Sequence, residues 1–455
     1  MLPGTPANPA SPPPERHAPP PARPRLPPTP ESWLPREHSL YRPRHSRGQR
    51  GALVCAVVFF LAPALAFVLG VRPAEFENRQ LAEFPGPGDG WGFFTGLPAW
   101  ATDHLPLREA GVRAAEAVST GVFGDPPGAG ADTGGREGPV GVEPPTGPPD
   151  HKSDRTPEVP KEHFPRAVLG TDGWYYLGDD MTHKCFPVHD VDEVIRRLDR
   201  LRRAVESSGR QFELVFAPDK TTMAPEHLPD DYLGKECTEA RTREFWERVP
   251  AATGAIDLRP ALHHADERLG APVYGPLDSH WTFAGGLTMT YALAERLAPG
   301  STESWEVERN GRRPWVADVP RLHGKHLDRG LDAFSLAPDG NGDRTDYVGS
   351  NFRKPLHLEQ TGPAAEGTVR RPVGVLADSF TQFATPYLAA TVGDLRVVHH
   401  NTLALSSGRE IAELLADRDV VVVQFVERII AGGGSALLRD SALDTLAATL
   451  ARHPR

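Results

Sequence analysis

Two short segments of the chain carry the side chains that acyl transfer needs. Asp278 and His280 stand two residues apart, so an extended loop would point both side chains to the same side. Ser379 follows the apolar run 373–376, which is typical of a buried strand that leads into a tight turn. A serine hydroxyl becomes a nucleophile when a base takes its proton, and a carboxylate orients that base. We therefore predict that Asp278, His280 and Ser379 form a catalytic triad.

The position of Ser379 after a strand also predicts how an oxyanion would be stabilised. At the carboxyl edge of a sheet, amides at the start of a helix, including that of Ser379, point towards such a charge. Three alternatives stay open. Asp278 and His280 would be loop residues with no catalytic task. Asp378 or Ser379 would only cap the following helix, or Asp278 and His280 would bind a metal together with His399 and His400.

Alternating strands and helices predict an α/β layered fold with a mainly parallel sheet. The run Val420–Val423 is apolar at every residue, as in a strand buried on both faces. A hairpin is expected around residues 171–173, and residues 300–370 are polar and receive no element. The expected strands are 212–216, 255–258, 373–376, 395–398 and 420–423, and the expected helices are 191–207, 241–248, 282–297 and 411–416.

The composition of the chain changes along its 455 residues. Residues 1–50 are rich in proline and arginine and predict a disordered tail, with a ligand for proline-recognition domains as the alternative. Residues 51–71 carry no charge and predict a transmembrane anchor; a cleaved signal peptide is the rival. Residues 72–123 would open the outer domain, 124–162 form a disordered Gly/Pro-rich insertion, and 163–455 form the main α/β domain.

Charge and cysteine content indicate the compartment. Four arginines precede the apolar stretch, which predicts a cytoplasmic N-terminus and an extracellular main domain in a single-pass protein of the cell membrane. Cys185 and Cys237 are the only cysteines outside that stretch, so in an oxidising compartment we expect a disulfide, with two unpaired thiols as the alternative. The net charge of -10 argues against nucleic-acid binding.

Short motifs are spread over most of residues 75–430. These motifs are Glu77-Asn78-Arg79-x-Leu81 with Phe84-Pro85, Asp103-His104-x-Pro106-x-Arg108, Gly173-Trp174-x-Tyr176, Pro218-x-Lys220, Asp278-x-His280-Trp281 and Asp378-Ser379-Phe380. In this order they resemble a known family, the alginate O-acetyltransferase AlgJ/AlgX group of SGNH-hydrolase-like proteins.

The resemblance implies an SGNH-type α/β domain in which Asp278, His280 and Ser379 form the triad. It implies a polysaccharide acceptor and a multispanning membrane O-acyltransferase that supplies acetyl groups. No cofactor is predicted. Ala377 departs from the family, which usually has glycine there, and so narrows the backbone freedom of the turn.

The predicted function is therefore O-acetyl transfer to the hydroxyls of a secreted or cell-surface polysaccharide through an acyl-serine intermediate. A carbohydrate esterase and a non-catalytic glycan-binding scaffold are the alternatives. Four further residues are candidates for substrate binding, namely Lys220, Trp281, Tyr387 and Asn401.

Overall fold

The computed structural model describes residues 47–69, 159–323, 327–348, 354–360, 366–400 and 409–455, together with a few isolated positions. The chain divides into two compact units, Met1–Leu65 and Ala66–Arg455. Most of the predicted tail, nearly all of the region 72–123 and the predicted insertion up to residue 158 lie outside the described residues. Residues 161–163, at the predicted boundary, form one turn of 3-10 helix.

The helix Arg47–Val68, here called α1, covers most of the apolar stretch that the sequence predicts to be a membrane anchor. Within the described residues, no helix combines the length and the apolar character that crossing a bilayer requires. The anchor at 51–71 therefore stays a prediction.

The helices of the described residues vary from one turn to six. The expected helices 191–207 and 282–297 are present at nearly these bounds, whereas Arg259–Leu269 and Asp440–Ala451 were not expected. Thr282 caps the helix that begins at Phe283, with its side chain accepting a hydrogen bond from the amide of Ala284. The helices are α1 (Arg47–Val68), α2 (Asp179–Cys185), α3 (Val191–Glu206), α4 (Lys220–Met223), α5 (Lys235–Thr253), α6 (Arg259–Leu269), α7 (Phe283–Leu297), α8 (Thr385–Thr391), α9 (Arg409–Leu415), α10 (Glu427–Ala431) and α11 (Asp440–Ala451).

The strands form one large sheet and two small ribbons. The large sheet has the order β4-β3-β10-β8-β9-β7, and the ribbons pair β1 with β2 and β5 with β6. The strands are β1 (Ala167–Leu169), β2 (Tyr175–Leu177), β3 (Gln211–Ala217), β4 (Ile256–Asp257), β5 (Glu306–Trp315), β6 (Arg329–Ala337), β7 (Leu356–Glu359), β8 (Val373–Ala377), β9 (Asp394–His399) and β10 (Val420–Val426).

Five of the six strands of the large sheet run parallel, and β7 pairs antiparallel with β9 at the edge. In the centre, β10 pairs with β3 on one side and with β8 on the other. All seven residues of β10 are buried, as its continuous apolar run predicts. Because parallel strands end on the same side, β3, β8 and β10 deliver the residues that follow them to one edge.

Two hydrophobic clusters lie on opposite faces of this sheet. Alternate residues of β10 divide between them, with Val420 and Val422 in one cluster and Val421 and Val423 in the other. Helix α7 contributes to the first cluster, while α3 and α11 contribute to the second. The result is the layered α/β/α arrangement of an SGNH-like fold, which confirms the predicted fold class for the main domain.

The region 300–370 contains structure that the sequence pattern does not reveal. Strands β5 and β6 form a long antiparallel ribbon with an irregular register between Arg309 and Arg312. Most residues of β5 are exposed, so the strand lacks the alternation of apolar and polar residues that marks a half-buried strand. The prediction of an irregular segment was therefore wrong here.

A disulfide links α2 to α5 on one side of the domain. Cys185 and Cys237, the expected pair, are bonded, with their Cα atoms 5.0 Å apart. The bond closes a loop of 52 residues. It therefore restricts the unfolded chain between the two helices.

Two adjacent glycines let α7 approach the segment that carries Ser379. A Cβ at Gly286 would lie 2.1 Å from the carbonyl oxygen of Phe383, and one at Gly285 would lie 2.5 Å from the Cβ of Trp281. Neither distance is compatible with a real side-chain atom. The absence of a side chain at Gly286 therefore permits the packing of α7 against Phe383 and Ala384, and its absence at Gly285 leaves room for the Trp281 side chain.

We predict that Gly286→Ala destabilises the fold even though alanine favours helices. Helix propensity would gain about 1 kcal/mol, whereas overpacking against backbone costs about 1–3 kcal/mol and here reaches the upper end. We expect a net loss of about 1–2 kcal/mol in the free energy of unfolding, measured with a chemical denaturant. Gly434→Ala, where nothing lies within 4 Å of the new Cβ, is the control. A Gly286→Ala variant more stable than the natural protein would refute the close approach.

Candidate active site

Ser379 lies where the sequence places it, immediately beyond β8 at the carboxyl edge of the sheet. It is the first residue of a short 3-10 helix, Ser379–Phe383, whose N-cap is Asp378. Its side chain is half-buried. Among the described residues the Ser379 amide meets no hydrogen-bond acceptor, so this N–H is available to a bound group.

The hydroxyl of Ser379 is hydrogen-bonded to the imidazole of His280, 99 residues earlier in the chain. The distance from Oγ to Nε2 is 2.7 Å. His280 is almost completely buried, and its ring packs against the rings of Phe380 and Phe383. The imidazole is therefore held in one orientation beside the serine.

Asp278 occupies the other side of the imidazole. Its Oδ1 lies 2.7 Å from Nδ1 of His280 and 3.0 Å from the His280 backbone nitrogen. The second carboxylate oxygen, Oδ2, accepts a hydrogen bond of 2.8 Å from the indole nitrogen of Trp315. An ionised carboxylate only accepts, so Nδ1 donates and Nε2 is left to accept the proton of Ser379.

The ionisation of this pair follows from burial and mutual attraction. Burial alone would lower the pKa of His280, but the charge and hydrogen bond of Asp278 outweigh it, and the pKa is raised above its ordinary value. Burial would raise the pKa of Asp278, yet the charge and hydrogen bonds of His280 lower it. The imidazole is therefore a stronger base than a free histidine.

Asp378 has a structural task next to the serine. Its Oδ1 accepts a hydrogen bond of 2.9 Å from the amide of Phe380, and its Oδ2 accepts one of 2.6 Å from the amide of Val426 at the end of β10. The side-chain oxygen of Gln424 accepts from the amide of Asp378 and from the hydroxyl of Thr381. These bonds tie the turn after β8 to the neighbouring strand.

Trp281 fixes the same turn from the histidine side. Its indole nitrogen donates a hydrogen bond of 2.8 Å to the carbonyl oxygen of Phe380, and its ring packs edge-on against the Phe380 ring. The adjacent residues His280 and Trp281 thus contact the adjacent residues Ser379 and Phe380. Trp281 has no exposed surface, which contradicts its prediction as a sugar-binding residue.

Lys220 and Tyr387 are also buried, so their predicted contact with substrate is wrong. The Lys220 ammonium donates to the backbone carbonyls of Tyr175, Pro276 and Asp278 at 2.7, 2.9 and 3.1 Å. Burial lowers the pKa of Lys220 to about 7. Lys220 therefore holds the loop that leads to Asp278.

Tyr387 lies in the main core, and its hydroxyl is 3.2 Å from that of Tyr347. Without exposed surface it packs inside the domain instead of contacting a ligand. Asn401, the remaining candidate for substrate binding, lies outside the described residues.

A buried network of charged side chains lies at the carboxyl edge of the sheet, next to the site. The Lys184 ammonium lies 2.8 Å from Asp219 and 2.6 Å from Glu427, while Arg428 lies 3.1 Å from Asp219 and 3.3 Å from Asp180. Burial, together with the charge of Asp219, raises the pKa of Asp180 well above its usual range. Two cations thus face three carboxyl groups, and the network joins the ends of β3 and β10.

The network explains the role of residues beyond β10. The guanidinium of Arg428 lies 5.5 Å from the centre of the Phe380 ring, next to Ser379. Glu427 also accepts a hydrogen bond from the amide of Asp219. Arg428 and Glu427 therefore pack behind the site and are themselves buried.

The geometry of the site also bears on the metal alternative. Asp278, His280 and Asp318 each place one polar atom within 4.8 Å of the others. Nδ1 of His280 donates to Asp278, and Asp318 accepts from the amide and hydroxyl of Ser279. A cation would displace these hydrogen bonds, so the arrangement fits a hydrogen-bonded network better than a metal centre. In the described part of the chain, no such group includes His399 or His400.

Two residues that hydrogen-bond to the segment 278–280 were not predicted from the sequence. Trp315 ends β5 and Asp318 follows it, both in the region to which no element was assigned. A tryptophan and an aspartate near a weakly patterned strand resemble many others in the chain. Nothing in their spacing relates them to Asp278.

Comparison with known proteins supports the resemblance. Residues 167–315 match the family described as SGNH hydrolase-like domain, acetyltransferase AlgX. A probable alginate O-acetylase AlgJ from Pseudomonas syringae pv. tomato is 23% identical over 163 residues, which cover 35% of this chain and 41% of that protein. Residues 167–315 of this chain therefore resemble the AlgJ/AlgX group. The predicted resemblance is thereby confirmed.

Solved structures of the same group align over much of the chain. The O-acetyltransferase domain of Pseudomonas putida AlgJ has a TM-score of 0.41 and 19% identity, covering 62% of this chain and 98% of that one. Pseudomonas aeruginosa AlgX has a TM-score of 0.40 and 18% identity, covering 63% and 68%. Because both TM-scores are below 0.5, neither alignment supports a conclusion about this chain. The layered α/β/α fold follows from the strand order of the large sheet and the two hydrophobic clusters on its faces.

We predict that Asp378 makes stability depend on pH. Burial raises the pKa of Asp378 to about 6, above the ordinary value of about 4. Between these values the folded protein binds a proton that the unfolded chain does not. The free energy of unfolding should therefore fall by about 2–3 kcal/mol as the pH rises through this window.

Asp378→Asn should remove this pH dependence because an amide does not titrate. Both proteins are unfolded with a denaturant at pH 4, 5, 6 and 7. As the pH rises, the free energy of unfolding of the variant should increase relative to that of the natural protein. Asp444→Asn, at a carboxylate that is 73% exposed, is the control. A difference between the two proteins that stays constant over this range would contradict the buried, protonated state of Asp378.

Proposed function

We propose that the protein is an O-acetyltransferase in which Ser379 carries the acetyl group, His280 moves the protons and Asp278 orients His280. The observation that supports this proposal is the continuous hydrogen-bonded chain from Asp278 through His280 to Ser379. The half-buried hydroxyl stands at the carboxyl edge of a parallel sheet, where α/β domains bind ligands. The polysaccharide acceptor is proposed from the AlgJ/AlgX-like domain.

The first half-reaction forms an acyl-enzyme. Nε2 of His280 takes the proton of Ser379, and Oγ forms a bond to the carbonyl carbon of an acetyl ester or thioester. The carbonyl electron pair moves to oxygen, and the amide of Ser379 donates to this oxyanion. When the pair returns, the bond to the leaving group breaks, and His280 gives that group its proton.

The second half-reaction reverses these steps with a sugar hydroxyl as nucleophile. Nε2 takes the proton of this hydroxyl, its oxygen bonds to the acetyl carbon, and the bond from that carbon to Oγ breaks. His280 then returns the proton to Ser379. If water enters instead of a sugar, the same groups catalyse ester hydrolysis, which is why the esterase remains the closest alternative.

We predict that Ser379→Ala lowers acetyl release from a chromogenic acetyl ester by a factor of at least about 100, because it removes the nucleophile. His280→Gln should have a comparable effect, since the serine loses its base. Thr302→Ala, on an exposed turn whose side chain contacts Glu295, is the control. The free energy of unfolding of each variant should be measured alongside. A folded Ser379→Ala variant with undiminished activity would exclude this nucleophile.

The same proteins distinguish the alternatives. A fluorophosphonate should label the natural protein at Ser379, whereas a non-catalytic scaffold would give no adduct. Acetylation of an added glycan, detected by mass spectrometry, favours the transferase. Release of free acetate alone favours the esterase.

We also propose a single-pass topology with the main domain outside the cytoplasm and a multispanning O-acyltransferase as the acetyl-supplying partner. Four arginines before the apolar stretch, the exposed apolar side chains of α1 and the disulfide between Cys185 and Cys237 support this location.

We predict that protease added outside spheroplasts digests the main domain and leaves a cytoplasmic tag at the N-terminus intact. This result is expected because only residues beyond the apolar stretch would then face the protease. Lysed cells, in which both parts should be cut, are the control. Protection of the main domain in unlysed cells would contradict the proposed topology.

A further inference from the structure

A second carboxylate, that of Asp318, lies beside the imidazole of His280. Its Oδ2 is 3.5 Å from Nδ1, the same ring nitrogen that donates to Asp278. The side chain of Asp318 is only 16% exposed. A charge this close and this poorly solvated acts strongly on the ring.

Asp318 also holds the residue between Asp278 and His280. Its Oδ1 accepts a hydrogen bond of 2.8 Å from the amide of Ser279, and its Oδ2 accepts the hydroxyl of Ser279. Both oxygens are therefore used to fix one residue of the loop. Because Ser279 connects Asp278 to His280, fixing it restricts the orientation of both neighbours.

One short segment thus contacts the whole Asp278–His280 stretch. Trp315 donates to Oδ2 of Asp278, and Asp318, three residues later, binds Ser279. The ring of Trp315 also packs against Phe383, which in turn contacts the imidazole. The residues at the end of β5 and just after it therefore hold His280, the proposed base, in place.

Among the described residues, five charged or titratable groups lie around His280. Asp278 and Asp318 favour its protonated form, while Arg428, beneath Phe380, disfavours it. Asp378 lies next to Ser379 and its ionisation responds to the charge of His280. Lys220 lies behind the loop and is attracted by both Asp278 and Asp318. Of the two carboxylates beside Nδ1, Asp318 is the one whose charge can be removed without breaking the bond between Asp278 and His280.

We propose that Asp318 is a positioning residue for His280, which it serves by anchoring Ser279 and by placing a second negative charge beside Nδ1. The proposal rests on the proposed role of His280 as the base. Asp318 raises the basicity of the imidazole and does not contact the reacting atoms. The pKa of Asp318 is itself raised by burial and by the charge of Asp278, so its effect is fully present only above that pKa.

The test compares two substitutions that separate charge from anchoring. Asp318→Asn removes the charge but keeps an oxygen that accepts from Ser279. Ser279→Ala removes the hydroxyl that binds Asp318 but leaves the charge. The imidazole pKa of His280 is measured in the full-length protein by NMR titration with labelled histidine, with the resonance assigned from the spectrum of His280→Gln.

We expect the His280 pKa to fall by about one unit in Asp318→Asn, and to change by only a few tenths of a unit in Ser279→Ala. In Asp318→Glu, which retains the charge, the pKa of His280 should stay close to its value in the natural protein. The acidic limb of the pH profile of kcat/KM should move to lower pH in Asp318→Asn, because the neutral imidazole then persists to lower pH.

An unchanged His280 pKa in Asp318→Asn would overturn the inference, and so would an equal shift in Ser279→Ala and Asp318→Asn. These outcomes are independent of the proposed function, because the titration requires no turnover. Undiminished activity of Ser379→Ala would overturn the proposed function without altering the titration. If Asp318→Asn does not fold, a shift in Asp318→Glu as large as one unit would also overturn the inference.

Discussion

Two adjacent hydrogen bonds between distant parts of the chain determine the arrangement of this site. The imidazole of His280 binds the hydroxyl of Ser379, and the indole of Trp281 binds the carbonyl of Phe380. Each bond joins residues that are 99 positions apart. Together they hold the start of α7 against the turn after β8, and most of the surrounding structure keeps these two segments in place. The close packing at Gly286 shows how little room that contact leaves.

Buried polar groups support the contact from three directions. Asp378 joins the turn after β8 to the end of β10, and Lys220 binds carbonyls of the loop before His280. The ribbon of β5 and β6 brings Trp315 to Asp278. Each group is hydrogen-bonded, and Asp378 and Lys220 are fully buried, where the cost of desolvation requires such partners. Leaving any of these polar groups without its hydrogen-bond partner would cost free energy. The site is rigid because each of the groups around it has such a partner. A rigid base and nucleophile need little reorganisation during a reaction.

The sequence analysis located most elements because they carry strong local signals. The first four residues of β10 are apolar, α3 shows helical periodicity, and Thr282 precedes α7 as a cap. The ribbon of β5 and β6 escaped because an exposed strand has no apolar alternation. Lys220, Trp281 and Tyr387 were misjudged for a related reason: their residue types suit both a sugar-binding surface and a core. Burial, which distinguishes the two, depends on neighbours from distant segments.

By itself the sequence determined the chemistry on offer, namely a carboxylate and an imidazole two residues apart and a serine after a buried strand. Local spacing suffices for this, because a tight turn follows from residues adjacent in the chain. Only the tertiary structure decided that these groups meet, and that Trp315 and Asp318 join them. Such contacts depend on strand order and helix packing, which arise from the burial of many apolar residues at once and are not written in any short segment.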